Sequence, residues 1–177
     1  MNNQQIKTAA RALRAYNVKR KGILANLTAT PQTAEQLGGN LEDKRLHSAL
    51  KRFVRAGLVR RCDSAPTEKG YGKLNTYAAT PMLEKCRAFE KTGLPTFSAG
   101  QIVLLVEAYN LGVFSVPEIA KTAGLSKSAA QLYVTAMFGN GYFSRTSQGF
   151  TVGQPYYKYR AERPVLEFLN AFYEAFA

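Results

Sequence analysis

The stretch from Thr33 to Arg61, TAEQLGGNLEDKRLHSALKRFVRAGLVRR, constrains the fold more than any other part of this chain. It reads as a short support helix over 34–37, a turn with Gly38 and Gly39, a longer helix from about Leu41 to Ala56, and then a strand. Thr33 is a suitable N-cap for the first helix. In the longer helix Leu46, Ala49, Leu50, Phe53 and Val54 recur at spacings of three and four, which places them on one face. At about 100° per residue, Lys44, Ser48, Lys51 and Arg55 fall on the opposite face, flanked by Arg45 and Arg52. Glu42 and Asp43 sit only in the first turn, where the helix dipole favours acids. Gly57 ends the helix, as glycine does where the backbone turns left-handed, and Leu58 and Val59 begin the strand. Such a helix suits the major groove of a DNA duplex, which admits one helix between walls of phosphate. A purely solvated charged face is the competing reading.

The segment resembles the winged helix-turn-helix superfamily over roughly residues 17–80. TAEQLGG matches the support helix, LEDKRLHSALKRFVRAGLVRR the recognition helix with the first wing strand, and KLNTYAAT the second wing strand. The resemblance implies a mainly α fold with small β wings (α+β), a recognition helix placed in the major groove, and a wing that follows it. On that basis the residues expected to touch DNA are Lys44, Arg45, Ser48, Lys51, Arg52 and Arg55. Arg60 and Arg61 join them from the first strand, and Lys69 and Lys73 from the hairpin loop DSAPTEKGYGK. Lys51 and Arg55 are expected to read base edges, and Arg45 and Arg60 to hold phosphate.

The 24 Lys and Arg outnumber the 12 Asp and Glu, a net charge of +12, which suggests a polyanionic partner. The charge is unevenly spread. Residues 1–92 hold 18 basic and 7 acidic side chains, whereas residues 93–177 hold 6 and 5. Within the basic half, residues 1–16 read as a helical arm with Lys7, Arg11 and Arg14 on one side and Ile6, Ala10, Leu13 and Tyr16 on the other. This arm either packs on the first domain or a partner, or follows the DNA backbone. Lys19, Arg20 and Lys21 crowd the start of a helix within 17–27, where the dipole disfavours them unless phosphate is near. Thr80 and Pro81 begin a further helix, 81–91, and Leu94-Pro95-Thr96 reads as a linker.

The second half repeats the pattern at an offset of 84. Ala130, Val134, Met137, Phe138 and Gly141 stand where Leu46, Leu50, Phe53, Val54 and Gly57 stand in the first. The outer face does not recur: Lys44, Arg45, Ser48, Lys51, Arg52 and Arg55 are matched by Ser128, Ala129, Leu132, Thr135, Ala136 and Gly139. A face like that suits protein rather than phosphate. The last stretch, RPVLEFLNAFYEAFA, carries an apolar stripe. It packs on its own domain or forms a dimer seam through Phe168, Leu169, Phe172 and Phe176.

The expected organisation is therefore an N-terminal arm (1–16), a DNA-binding winged-helix domain (17–93), and a second winged-helix-like domain (97–177) for protein contact or dimerisation. No enzyme chemistry is expected. His47 is the single histidine, no phosphate-binding glycine loop is present, and the acids are scattered, so neither a cofactor nor a metal is anticipated. Cys62 and Cys86 read as reduced thiols. No secretory signal or membrane-spanning run is recognised, and a cytoplasmic protein is expected, of the prokaryotic, phage or plasmid type that the resemblance implies. The partners expected are double-stranded DNA and, through the C-terminal half, a second copy or another protein, with no membrane. The role expected is sequence-specific transcriptional regulation. The alternatives are a plasmid or phage replication initiator and a protein-binding adaptor.

Overall fold

The structure, a computed structural model, describes residues 1–17, 21–38, 44–66, 73–151 and 154–177. Among them are eight helices and two three-stranded antiparallel sheets. The fold is mainly α with small β elements. The chain divides into two compact units. The N-terminal unit comprises Thr8–Thr96 with Phe176, and the C-terminal unit comprises Met1–Lys7, Phe97–Ala175 and Ala177.

Helix α1 runs over Asn3–Tyr16. Asn2 and Gln5 exchange side-chain and backbone hydrogen bonds of 2.7 and 2.9 Å across its first turn, satisfying amides that a helix start leaves open. Ile6, Ala10, Leu13 and Tyr16 are buried, and Lys7, Arg11 and Arg14 are exposed, as the sequence pattern requires.

In the N-terminal unit α2 (Lys21–Ala25), β1 (Gln32–Thr33), α3 (Lys44–Arg55), β2 (Val59–Pro66), β3 (Lys73–Ala79) and α4 (Pro81–Glu90) follow in order. The sheet order is β1-β3-β2. Leu46, Leu50 and Phe53 of α3 are buried with Leu24, Leu37, Leu58, Leu83 and Phe89. Each such side chain contributes roughly 1.5–3 kcal/mol on leaving water. The guanidinium of Arg87 on α4 donates to the Leu24 and Leu27 carbonyls and so occupies acceptors exposed at the end of α2.

Two expectations are corrected. The support helix over 34–37 is a single turn, not a helix. Thr33 and Gln36 do cap it reciprocally, at 2.8 and 3.3 Å. The Leu37 N–H reaches the Thr33 carbonyl at 3.2 Å. Gly38, at φ +83°, then turns the backbone out of helical geometry before a second turn can repay nucleation. Val54, expected on the packed face, is 36% exposed, and Ala49 is half-buried. The packed face is one residue narrower than the apolar stripe in the sequence, because a residue about 80° from the buried centre leaves the contact. The expected start of the long helix at Leu41 lies outside the described residues.

The C-terminal unit contains α5 (Ala99–Leu111), β4 (Val113–Phe114), α6 (Val116–Thr122), α7 (Lys127–Gly139), β5 (Phe143–Thr151), β6 (Gln154–Ala161) and α8 (Arg163–Phe176). Its sheet order, β4-β6-β5, matches that of the first unit. The hydrogen bonds that join helix to sheet also recur. Leu58 N–H donates to the Phe53 carbonyl at 3.0 Å, and Tyr142 N–H to the Met137 carbonyl at 2.9 Å. Thr80 N–H meets the Leu58 carbonyl at 3.2 Å, and Glu162 N–H meets the Tyr142 carbonyl at 3.0 Å. Both hairpins shift register after the fourth or fifth residue of the first strand, between Cys62 and Ala65 and between Ser147 and Phe150.

The dimer seam proposed for α8 does not stand. Phe168, Leu169, Phe172 and Phe176 are all buried within the single chain. The Phe168 ring meets Phe97 at 4.8 Å and Phe172 at 5.9 Å. Their apolar surface is already consumed, so it is not offered to a second copy.

Candidate nucleic-acid interface

Lys44, Arg45, Ser48, Lys51, Arg52 and Arg55 are all exposed on α3. Burial of Leu46, Leu50 and Phe53 fixes the rotation of the helix and so aims these six side chains outward. Lys44, Ser48, Lys51 and Arg55 form the central row. Arg45 and Arg52 lie to one side of it, and His47 and Val54 to the other.

A cleft borders this row on each side. On one, His47, Lys51, Val54 and Arg55 face Arg61, Asn75 and Tyr77 of the β2–β3 hairpin across a groove of about 390 Å³. Register places Arg61 opposite Tyr77, and Asn75 lies two residues along on the same face of β3. The Asn75 side-chain carbonyl accepts from the Arg61 guanidinium and so orients it toward the groove. On the other side, Arg52 and Arg55 share a cleft with Arg11 and Arg14 of α1. Among the described residues no carboxylate lines either cleft. Both lie within the N-terminal unit.

Arg60 is exposed on β2. Lys69, Lys19 and Arg20 lie outside the described residues. Lys73 begins β3 and Lys21 begins α2. His47, Val54, Asn75 and Tyr77 belong to the groove although the sequence did not single them out as site residues. The period of two along KLNTYAA was the signal that joins Asn75 to Tyr77.

The Tyr16 hydroxyl donates to Glu90 and tethers the end of α1 within this unit. Burial, with the hydrogen bond to Glu90, pushes the Tyr16 pKa up to about 12, so it stays neutral. Burial likewise pushes the Cys86 thiol up to about 12, which makes it an inert core group.

The equivalent surface of the C-terminal unit has different chemistry. Lys127, Ser128, Gln131, Leu132 and Thr135 form an exposed patch on α7, with Leu132 66% exposed at its centre. Three basic groups in this unit are engaged internally. Lys158 bonds Glu118 at 2.8 Å, and Arg163 bonds Glu167 at 2.8 Å. The Arg145 guanidinium lies between the Phe138 and Tyr157 rings at 4.4 and 4.7 Å. Among the described residues no helix is long and apolar enough to cross a membrane.

Compared with known protein families, the chain matches none of their models, and a search of curated proteins likewise returns no match.

Proposed function

We propose that this chain binds double-stranded DNA through its N-terminal unit in the manner of a winged helix, with α3 in the major groove, and acts as a sequence-specific regulator of transcription. The observation that carries the reading is the outward row Lys44, Ser48, Lys51 and Arg55, bordered by two clefts that no carboxylate lines among the described residues. A helix with its side chains is about 10–12 Å across and the major groove about 12 Å wide, so α3 fits with its central row toward the bases. The phosphate walls then fall against the two flanks. The C-terminal unit, whose patch on α7 centres on an exposed leucine, serves protein contact.

Binding of the full chain to its own site and to random duplex, over a range of salt concentrations, tests this. Lys51→Ala is expected to cost roughly 1–3 kcal/mol on the specific site and to relax preference at one base pair. Arg60→Ala is expected to weaken both duplexes alike and to lower the salt slope by about one unit. If both substitutions weaken specific and random DNA equally, α3 is an electrostatic anchor and the regulator reading fails. Footprinting of the DNA flanking the gene separates a regulator, which protects a promoter palindrome, from a replication initiator, which protects an array of direct repeats.

A further inference from the structure

The cleft between α1 and α3 is built from one short pattern used twice. Arg11-Ala-Leu-Arg14-Ala15 on α1 and Arg52-Phe-Val-Arg55-Ala56 at the end of α3 both read R-x-x-R-A. On a helix, arginines three apart share a face. In each copy the residue after the first arginine is buried, Ala12 in one and Phe53 in the other, which turns the arginine pair outward. Ala15 and Ala56 are buried at the floor, where side chains this small let the two helices approach. The result is a cleft of about 290 Å³ lined by four arginines and two alanines. Neither helix carries an acid, and among the described residues none of the four guanidinium groups is paired with a carboxylate. Glu90, bonded to the end of α1, is engaged by Tyr16.

We infer that this cleft is a phosphate-binding site. Four planar guanidinium groups gathered with no carboxylate beside them among the described residues match a tetrahedral anion with several acceptor oxygens, which arginine grips in two-pronged fashion. A single carboxylate offers too little charge and too few oxygens to engage them. The same chemistry is presented by a backbone phosphate of duplex DNA and by a free polyphosphate. For the duplex the inference rests on the proposed function and extends it: one strand's backbone is held at the cleft while α3 lies in the groove. Arg55, which borders both clefts, then holds phosphate rather than reading a base.

The test uses the full chain, an Arg11→Gln/Arg14→Gln variant, and a charge-matched control, Lys91→Gln/Lys121→Gln, with both control positions exposed and outside either cleft. Circular dichroism verifies that all three fold. In the duplex arm the arginine variant is expected to lose about tenfold in affinity for random duplex at moderate salt and one to two units of salt slope, against less than about twofold for the control. In the second arm, calorimetry with tripolyphosphate reads the free anion. A loss confined to the arginine variant in either arm supports the site and names its source. If the wild type fails to bind duplex, the proposed function falls while the tripolyphosphate arm still decides the cleft. If the arginine variant and the control behave alike in both arms, the inference is overturned.

Discussion

Gly57 and Gly141 stand at the same place in the two units, at φ +75° and +76°, each passing its chain from a helix into a strand. A β-carbon at either would meet nothing within 4 Å, so a substitution is felt through the backbone alone. Gly57→Ala and Gly141→Ala should each cost about 1–2 kcal/mol, read as a lower urea midpoint with an unchanged slope. Unequal costs beyond about 1 kcal/mol would mean that the two turns are not equivalent. Glu118 offers a second residue-level test. It accepts from Lys158 at 2.8 Å and from the Ser115 hydroxyl and backbone N–H at 2.7 Å each. The bond from Lys158 is the largest influence, followed by those from Ser115, and together they hold its carboxyl near 2 instead of 4.5. The stabilisation is therefore complete above about pH 4.5 and is lost as the pH falls toward 2. Because the side chain is 53% exposed, it contributes no more than about 1 kcal/mol. Glu118→Gln should lower stability at pH 7 by that amount and flatten the decline between pH 4.5 and 2; an unchanged acid profile would refute the assignment.

At the scale of elements, α3 and α7 show how one framework carries two surfaces. Both bury residues at equivalent positions, Leu46, Leu50 and Phe53 in one and Ala130, Val134 and Met137 in the other. Both hand over to a strand through the same backbone bonds. The outward positions are free of that constraint, and there charge is kept on α3 and absent from α7 beyond Lys127. Helix α8 shows the reverse case, an apolar stripe whose meaning depends on what lies opposite it. Since Phe172 is fully buried, Phe172→Ala should cost about 3–5 kcal/mol, measured by denaturant unfolding. A dimer seam would instead leave the fold intact and change the sedimenting mass. Leu132→Gln, at an exposed position of α7, should move stability by less than about 0.5 kcal/mol.

Over the whole molecule the basic charge lies in residues 1–92. Its partition is best tested in the full chain, because the two compact units are not separated by one cut: Met1–Lys7 group with the C-terminal unit and Phe176 with the N-terminal one. Lys44→Gln with Lys51→Gln should therefore reduce duplex affinity about tenfold or more at moderate salt. Lys121→Gln with Arg163→Gln, which removes the same charge from the C-terminal half, should change it by less than about twofold. Equal losses would show that net charge, and not the α3 surface, governs binding.

Periodicity and punctuation in the sequence were enough to locate α1, α3, α4, α7 and α8, the first hairpin, and the two turns at Gly57 and Gly141. These are local matters: spacing of three and four selects a buried face, and a glycine supplies the left-handed backbone. The same reasoning placed the outward cations of α3, because a face opposite a buried one must be exposed. It read the single turn at 34–37 as a helix, since one turn with a good cap cannot be told from a helix until the φ angle of Gly38 is known. It misjudged Val54 and left α8 open between packing on its own domain and a dimer seam, since whether an apolar side chain is covered depends on segments far away in the chain. The meeting of Arg11 and Arg14 with Arg52 and Arg55 across some forty residues was beyond it for the same reason. Which faces are apolar or charged is written in local order; which faces meet is decided only when distant helices compete for the same buried surface.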